Sequence, residues 1–222
     1  MEPLRTVGTF PEFHFNCQRH PGGFFASLAH VGKLPVLLRT TLTLDGIGLG
    51  RIIVCVPSAK AEDFKTVLSQ CGRLPSSIEW RKVGPDTNLW SIVTEVVATS
   101  RSVILLLGNR IYQPRLLQSA FEWAGASTLA LATNRELAGI HVLQQTAAVE
   151  SGNGSTTRIH NFSGSHTSEQ SGPPVEIREV AASSWHNIVT PEDVSAAERK
   201  VDSWLAKPTD GLFAQIDHYP LC

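Results

Sequence analysis

The chain has 222 residues, with 19 Lys plus Arg against 20 Asp plus Glu and a formal net charge of −1. That length suits one domain, or one domain with an appendage, and the near-neutral balance argues against a broad basic footprint for nucleic acid. Hydrophobic residues at 42% argue against wholesale disorder, and the apolar run 103–107 falls far short of the roughly 20 residues a membrane helix needs. Residues 1–10 carry no basic region followed by an apolar core, so no secretory signal is visible. The composition points to a soluble, cytoplasmic protein.

Residues 1–33 show no sustained period of 2 or 3.6 and read as an irregular segment with at most a short strand. Regularity starts at 34–44, a helical stripe with Pro35 in its first turn and Asp45-Gly46 as the stop. Residues 51–56 are a β-branched run closed by Pro57, a buried strand, and 61–70 form a short helix after it. Residues 77–83 alternate as a second strand, and 88–100 carry apolar residues at helical spacing. The run 103–107 reads as a central parallel strand covered on both faces. A helix over 114–124 and strands over 128–132 and 140–145 follow. Residues 151–174 are rich in Ser, Gly, Thr and Asn and read as a flexible insertion. A strand over 175–180 precedes a helix opened by Thr190-Pro191-Glu192-Asp193, with Thr190 as N-cap and Pro191 at the first helical position.

Strands alternating with helices predict an α/β, Rossmann-like, mostly parallel sheet with helices on both faces. The domain spans 34–206, and 207–222 forms a tail. Ligands of such sheets bind at the carboxyl ends of the strands, which directs attention to the loops after Val56, Leu107 and Val180.

The four cysteines, Cys17, Cys55, Cys71 and Cys222, have no C-x-x-C pair and read as structural. Gly46-Ile-Gly48-Leu-Gly50 follows a helix and precedes a strand, the reverse of a phosphate-cradling loop, and reads as a connection. His160 and His166 read as solvated loop histidines. Asn109, just past the most apolar strand, fits either a ligand role or a turn that bonds its own backbone. His186 and Asn187 precede the capped helix and remain candidate site residues.

Four stretches carry a resemblance. Val31-Gly-Lys-Leu-Pro-Val-Leu-Leu-Arg-Thr40, continuing to Arg51-Ile-Ile-Val54, is similar to the "V-G-G-R-P-L-L-x-R-T-L … R-I-V-V-V" of sugar-phosphate nucleotidyltransferases. Leu107-Gly-Asn-Arg-Ile-Tyr-Gln-Pro-Arg-Leu-Leu117 resembles their "x-A-D-x-V-Y-x-P-x-L-L", and residues 185–193 resemble "W-x-D-V-D-T-P-E-D". The segment 197–211 looks like the junction in bifunctional enzymes that join an inositol-1-phosphate-type cytidylyltransferase to a membrane CDP-alcohol phosphatidyltransferase.

The resemblance, which covers roughly residues 31–211, implies a GT-A-type fold. It implies CTP and a sugar or polyol phosphate as ligands, magnesium as the metal if the protein is active, and a membrane phosphatidyltransferase domain as partner at the inner face of the membrane. It maps Asn109 and Asn187 onto catalytic positions, and Gly32, Lys33, Arg110 and His186 onto or beside substrate-binding ones. The sequence departs from the family where charge matters. The aspartate after the central strand is Asn109, the two positions of "D-V-D" are Asn187 and Val189, and Gly22-Gly23 is the nearest trace of the nucleotide loop. An amide brings no negative charge and valine no ligand atom, so the expectation is weak or absent catalysis and a role in binding or docking. Two other readings stand beside it: an active enzyme using Glu192, Asp193 or Asp86 as alternative ligands, and an unrelated Rossmann-like binding protein.

Overall fold

In the computed structural model the described residues are 6–10, 25–49, 51–70, 72, 74–75, 78–84, 86–87, 89–100, 102–123, 129–134, 136–144 and 176–205. Gly22-Gly23, Cys17, Cys71, Cys222, His160, His166, the insertion 151–174 and the tail 207–222 lie outside them. In chain order the elements are β1 (Thr6–Phe10), β2 (His30–Val31), β3 (Leu34–Pro35), α1 (Val36–Gly46), β4 (Arg51–Pro57), α2 (Ala61–Gln70), β5 (Ile78–Val83), α3 (Leu89–Thr99), β6 (Ser102–Leu107), β7 (Arg110–Tyr112), α4 (Pro114–Trp123), β8 (Leu129–Thr133), β9 (Glu136–Gln144), β10 (Glu176–Glu179), β11 (Trp185–Asn187) and α5 (Pro191–Leu205).

Seven strands form one sheet in the order β10-β8-β9-β6-β1-β4-β5. Four of its pairings are parallel, and the two that involve β9, with β6 and β8, are antiparallel. β9 is therefore the one reversed strand, and the sheet is mostly parallel as the alternation of elements implied. The strand over 103–107 is central, but only its β1 side is parallel.

The pleat sends alternate residues to opposite faces. Ile52, Val54 and Val56 of β4, with Ile104 and Leu106 of β6, join α1, α2 and α4 in one apolar cluster that includes Leu37, Phe64 and Leu117. Ile53 and Cys55, with Val103 and Leu105, face Val93, Val96 and Val97 of α3 on the other side. Helices thus cover both faces. Each fully buried Leu, Ile or Phe contributes about 1.5–3 kcal/mol relative to exposure.

Cys55 sits inside this second cluster, where burial pushes its thiol up to about 12, opposed by Arg81. It behaves as the small hydrophobe its strand position implied. α1 is buried over residues 36–44 although it holds three threonines. Their hydroxyls donate back to the helix, Thr40 to the Val36 carbonyl (3.1 Å), Thr41 to that of Leu38 (3.0 Å) and Thr43 to that of Arg39 (2.9 Å), so no hydroxyl there goes unmet.

The amino-terminal segment, read as irregular with at most a short strand, holds one inside the sheet. β1 lies between β4 and β6, with Val7 beside Ile52 of β4 and Ile104 of β6. A five-residue run containing Gly8 carries little periodic signal of its own. Its strand state is imposed by two apolar neighbours that come about 40 to 100 residues later.

Candidate functional site

β6 delivers the chain to a two-residue turn, Gly108-Asn109, and then to β7, which pairs antiparallel with β11. The register sets Arg110 opposite Asn187, Ile111 opposite His186 and Tyr112 opposite Trp185. Backbone bonds flank the pair, from Ile188 N–H to the Asn109 carbonyl (2.9 Å) and from Gln113 N–H to that of Ser184 (2.8 Å). Alternation from those bonds makes Arg110/Asn187 and Tyr112/Trp185 the non-hydrogen-bonded pairs, where facing side chains approach most closely.

The two amides that the sequence singled out meet here. Asn109, 4% exposed, donates from Nδ2 to Oδ1 of Asn187 at 3.2 Å. Seventy-eight residues separate them in the chain, and the β7–β11 pairing brings them together.

Arg110 lies next to this pair. Its guanidinium stacks over the Trp185 ring at 4.7 Å and donates from Nη1 to the Leu137 carbonyl. Burial pulls it below its ordinary value, opposed by Tyr112 and Glu136. The Trp185 indole is itself fixed, its Nε1 donating to Thr133 Oγ1 at 3.1 Å, while that hydroxyl donates to the Val180 carbonyl at 2.7 Å. Tyr112, whose hydroxyl donates to the carbonyls of Leu107 (3.2 Å) and Gly139 (3.3 Å), is raised by burial and stays a neutral phenol. Gly139 has φ +70°, and a Cβ there would lie 2.8 Å from Leu107 Cδ1 and 3.2 Å from Arg110 Nη1, so the close approach of these side chains requires glycine.

His186 is separated from the amides. One residue along β11 reverses the face, so His186 lies opposite Ile111, on the side packed by α5. Burial lowers its basicity, Lys200 lowers it further and Asp193 opposes both. Lys200 donates to the carbonyls of Ala182 (2.8 Å) and Trp185 (2.7 Å), tying α5 to the start of β11. Gly32 and Lys33 form the tip of the β2–β3 hairpin. Gly32, at φ +64°, donates its N–H to Glu198 Oε1 of α5 at 3.1 Å. Val31 packs with Ile111 and Ile188, so the hairpin is anchored to α5 behind the amide pair, with Lys33 exposed. Trp185, Tyr112 and Thr133 complete the site on the Asn187 side. The first two stood in the motifs, but only their partners, set by pairing across the chain, show what they do.

The residues present do not suit magnesium. A hard dication favours carboxylate oxygens, whereas the positions marked by the resemblance offer two neutral amides and Val189. One amide oxygen is already engaged by the other amide. Among the described residues no group of three or more His, Cys, Asp or Glu could hold a metal ion. Of the alternative carboxylates, Asp193 is employed and Asp86 is remote. Asp193 Oδ2 accepts the N–H groups of Val189 (2.9 Å) and Thr190 (2.8 Å), which caps α5. Thr190 stands at the N-cap position, just before Pro191, and Asp193 accepts its N–H as the third helical residue of a capping box does. Asp86 follows β5, three strands from β6 and so about 14 Å away at ordinary strand spacing.

Scanned against family models and against curated protein sequences, the chain has no match. Solved structures match its fold. Rv0371c from Mycobacterium tuberculosis H37Rv superposes with a TM-score of 0.62 at 15% identity, covering 90% of this chain and 99% of that one. The inositol-1-phosphate CTP transferase from T. maritima gives 0.57 at 14% identity over 100% and 99%. The 4-diphosphocytidyl-2C-methyl-D-erythritol synthase from Anaerococcus prevotii gives 0.57 at 13% over 92% and 97%. The chain therefore has a cytidylyltransferase-like α/β fold. No helix among the described residues is long and apolar enough to cross a membrane.

Proposed function

We propose that this protein is a nucleotidyltransferase-like domain of the sugar- or polyol-phosphate cytidylyltransferase type, with weak or no transfer activity. It serves in binding or docking within CDP-alcohol head-group synthesis. Its ligands are CTP and a sugar or polyol phosphate, and its partner is a membrane CDP-alcohol phosphatidyltransferase. The observation that supports this reading is the Asn109–Asn187 amide contact at 3.2 Å, at the carboxyl end of the central strand, where the resemblance calls for charged metal ligands.

Nucleotidyl transfer moves the cytidylyl group of CTP to a phosphate oxygen that attacks the α-phosphorus, and the bond to pyrophosphate breaks. The charge on the triphosphate must be neutralised as that bond breaks. Loss of one preorganised electrostatic group costs about two to three decades in rate. A pair of amides in place of carboxylates therefore predicts that pyrophosphate release from CTP and a polyol phosphate in magnesium stays near background. Calorimetric titration under the same conditions reports binding separately. Magnesium-dependent turnover at ordinary enzyme rates overturns the inactive reading and restores the active alternative.

A further inference from the structure

Resting on that reading, we infer that the β7–β11 pair binds a phosphoryl group directly, without a metal ion, between the guanidinium of Arg110 and the amide nitrogen of Asn187. The inference comes from the sign of the hydrogen-bonding groups left over. Arg110 and Asn187 face each other at a non-hydrogen-bonded position of the pair, on the same face. Asn187 Oδ1 already accepts from Asn109, so its unengaged end is the NH2 donor. A guanidinium has donors only. The two residues thus present donors and a positive charge, an arrangement that attracts an anion and repels magnesium.

No carboxylate among the described residues makes an ion-pair contact with Arg110, and Glu136 acts on its charge only from longer range. Its Nε is enclosed without a hydrogen-bond acceptor, an unusual state for a buried donor. The side chain is also held in place before any ligand arrives. Trp185 supports one face of the guanidinium and the Leu137 carbonyl holds Nη1, while Thr133 fixes the indole from behind. A preorganised, weakly hydrated guanidinium is the side chain best matched to phosphate oxygens. The terminal phosphate of a nucleotide and the phosphate of a polyol ester share this chemistry.

The test is titration of the full chain with inorganic phosphate, CTP and glycerol 3-phosphate, each in EDTA and each again in magnesium. Expected is binding in EDTA by at least one of the three probes that magnesium does not strengthen. The ester that binds more tightly identifies the source of the group. Arg110→Gln should weaken it about tenfold or more, and Arg110→Lys should retain part of it. Because Arg110→Gln also removes the Leu137 bond and the Trp185 stack, Asn187→Asp is the second variant. Its carboxylate faces Arg110 and occupies the guanidinium, so anion binding should drop about tenfold or more while the melting temperature is kept or raised. Binding that requires magnesium, binding unchanged in both Arg110→Gln and Asn187→Asp, or no binding of any probe overturns the inference. Magnesium-dependent binding without turnover overturns it and leaves the inactive reading standing, whereas pyrophosphate release overturns the inactive reading first.

Discussion

A single nitrogen for a single oxygen at residues 109 and 187 changes what the turn after β6 can do. With amides, the two side chains bond each other at 3.2 Å, and Asn109 tolerates burial as a neutral group. With two carboxylates, the same closeness would be repulsive without a cation between them. His141 gives this region a measurable pH dependence. It stands opposite Leu105 and Ala130 in the sheet, its Nδ1 sealed from solvent. Burial, with a smaller contribution from Arg110, pushes it down from 6.5 to about 4. Between those values the unfolded chain binds a proton that the folded chain refuses, so stability is full above about pH 6.5 and declines as pH falls toward 4. The expected loss is up to about 3 kcal/mol at the acid end. Urea midpoints across that range should show the slope, and His141→Leu should flatten it. At this scale the sequence revealed which residues are chemically odd, Asn109 and Asn187 above all. It could not reveal that Gly139 and Leu137 wall the neighbouring arginine, because neither residue type signals a partner.

The two three-residue strands β7 and β11 position the site, and they are the elements hardest to see in the sequence. Three residues give less than two periods of alternation, and the partner strand lies more than about 70 residues away in the chain. By contrast β4, α2, α3, β6 and α4 carry their period within themselves and lie close to where the pattern put them. β9 is longer than its sequence signal, starting at Glu136, because Leu137, Ala138 and Gly139 lack the β-branched residues that mark a strand. At α5 sequence and structure agree on the element and its start, and the structure adds Asp193 to the cap. Asp193 holds the N–H groups of Val189 and Thr190 and accepts the Thr190 hydroxyl at 3.3 Å. Asp193→Ala should therefore cost about 1 kcal/mol, within the 0.5–2 kcal/mol usual for caps, measured by thermal melting. If Asp193 were a metal ligand instead, the variant would alter magnesium binding with little change in melting.

Across the whole molecule, the fold class followed from strands alternating with helices, and the sheet order did not. Alternation limits topology to a parallel, right-handed winding, and the apolar run of β6 marks the centre, but nothing local tells which strand lies beside it. That place belongs to β1, flanked on both sides by parallel neighbours. Deleting residues 1–10 should consequently abolish the cooperative unfolding transition and the dispersed amide spectrum of the folded chain, rather than trim a dispensable end. A truncated protein that kept both would mean the β4 and β6 edges can close on each other. The interior placement of β1 also bears on how the protein is made. β1 can pair with β4 once Pro57 is made, but its other edge stays bare until β6, ending at Leu107, has followed. Synthesis at 5–20 residues per second makes that a wait of roughly 2 to 10 s. During that interval the β1–β4 pair exposes an unpaired edge, so early protection by a holding chaperone would favour the yield of folded protein.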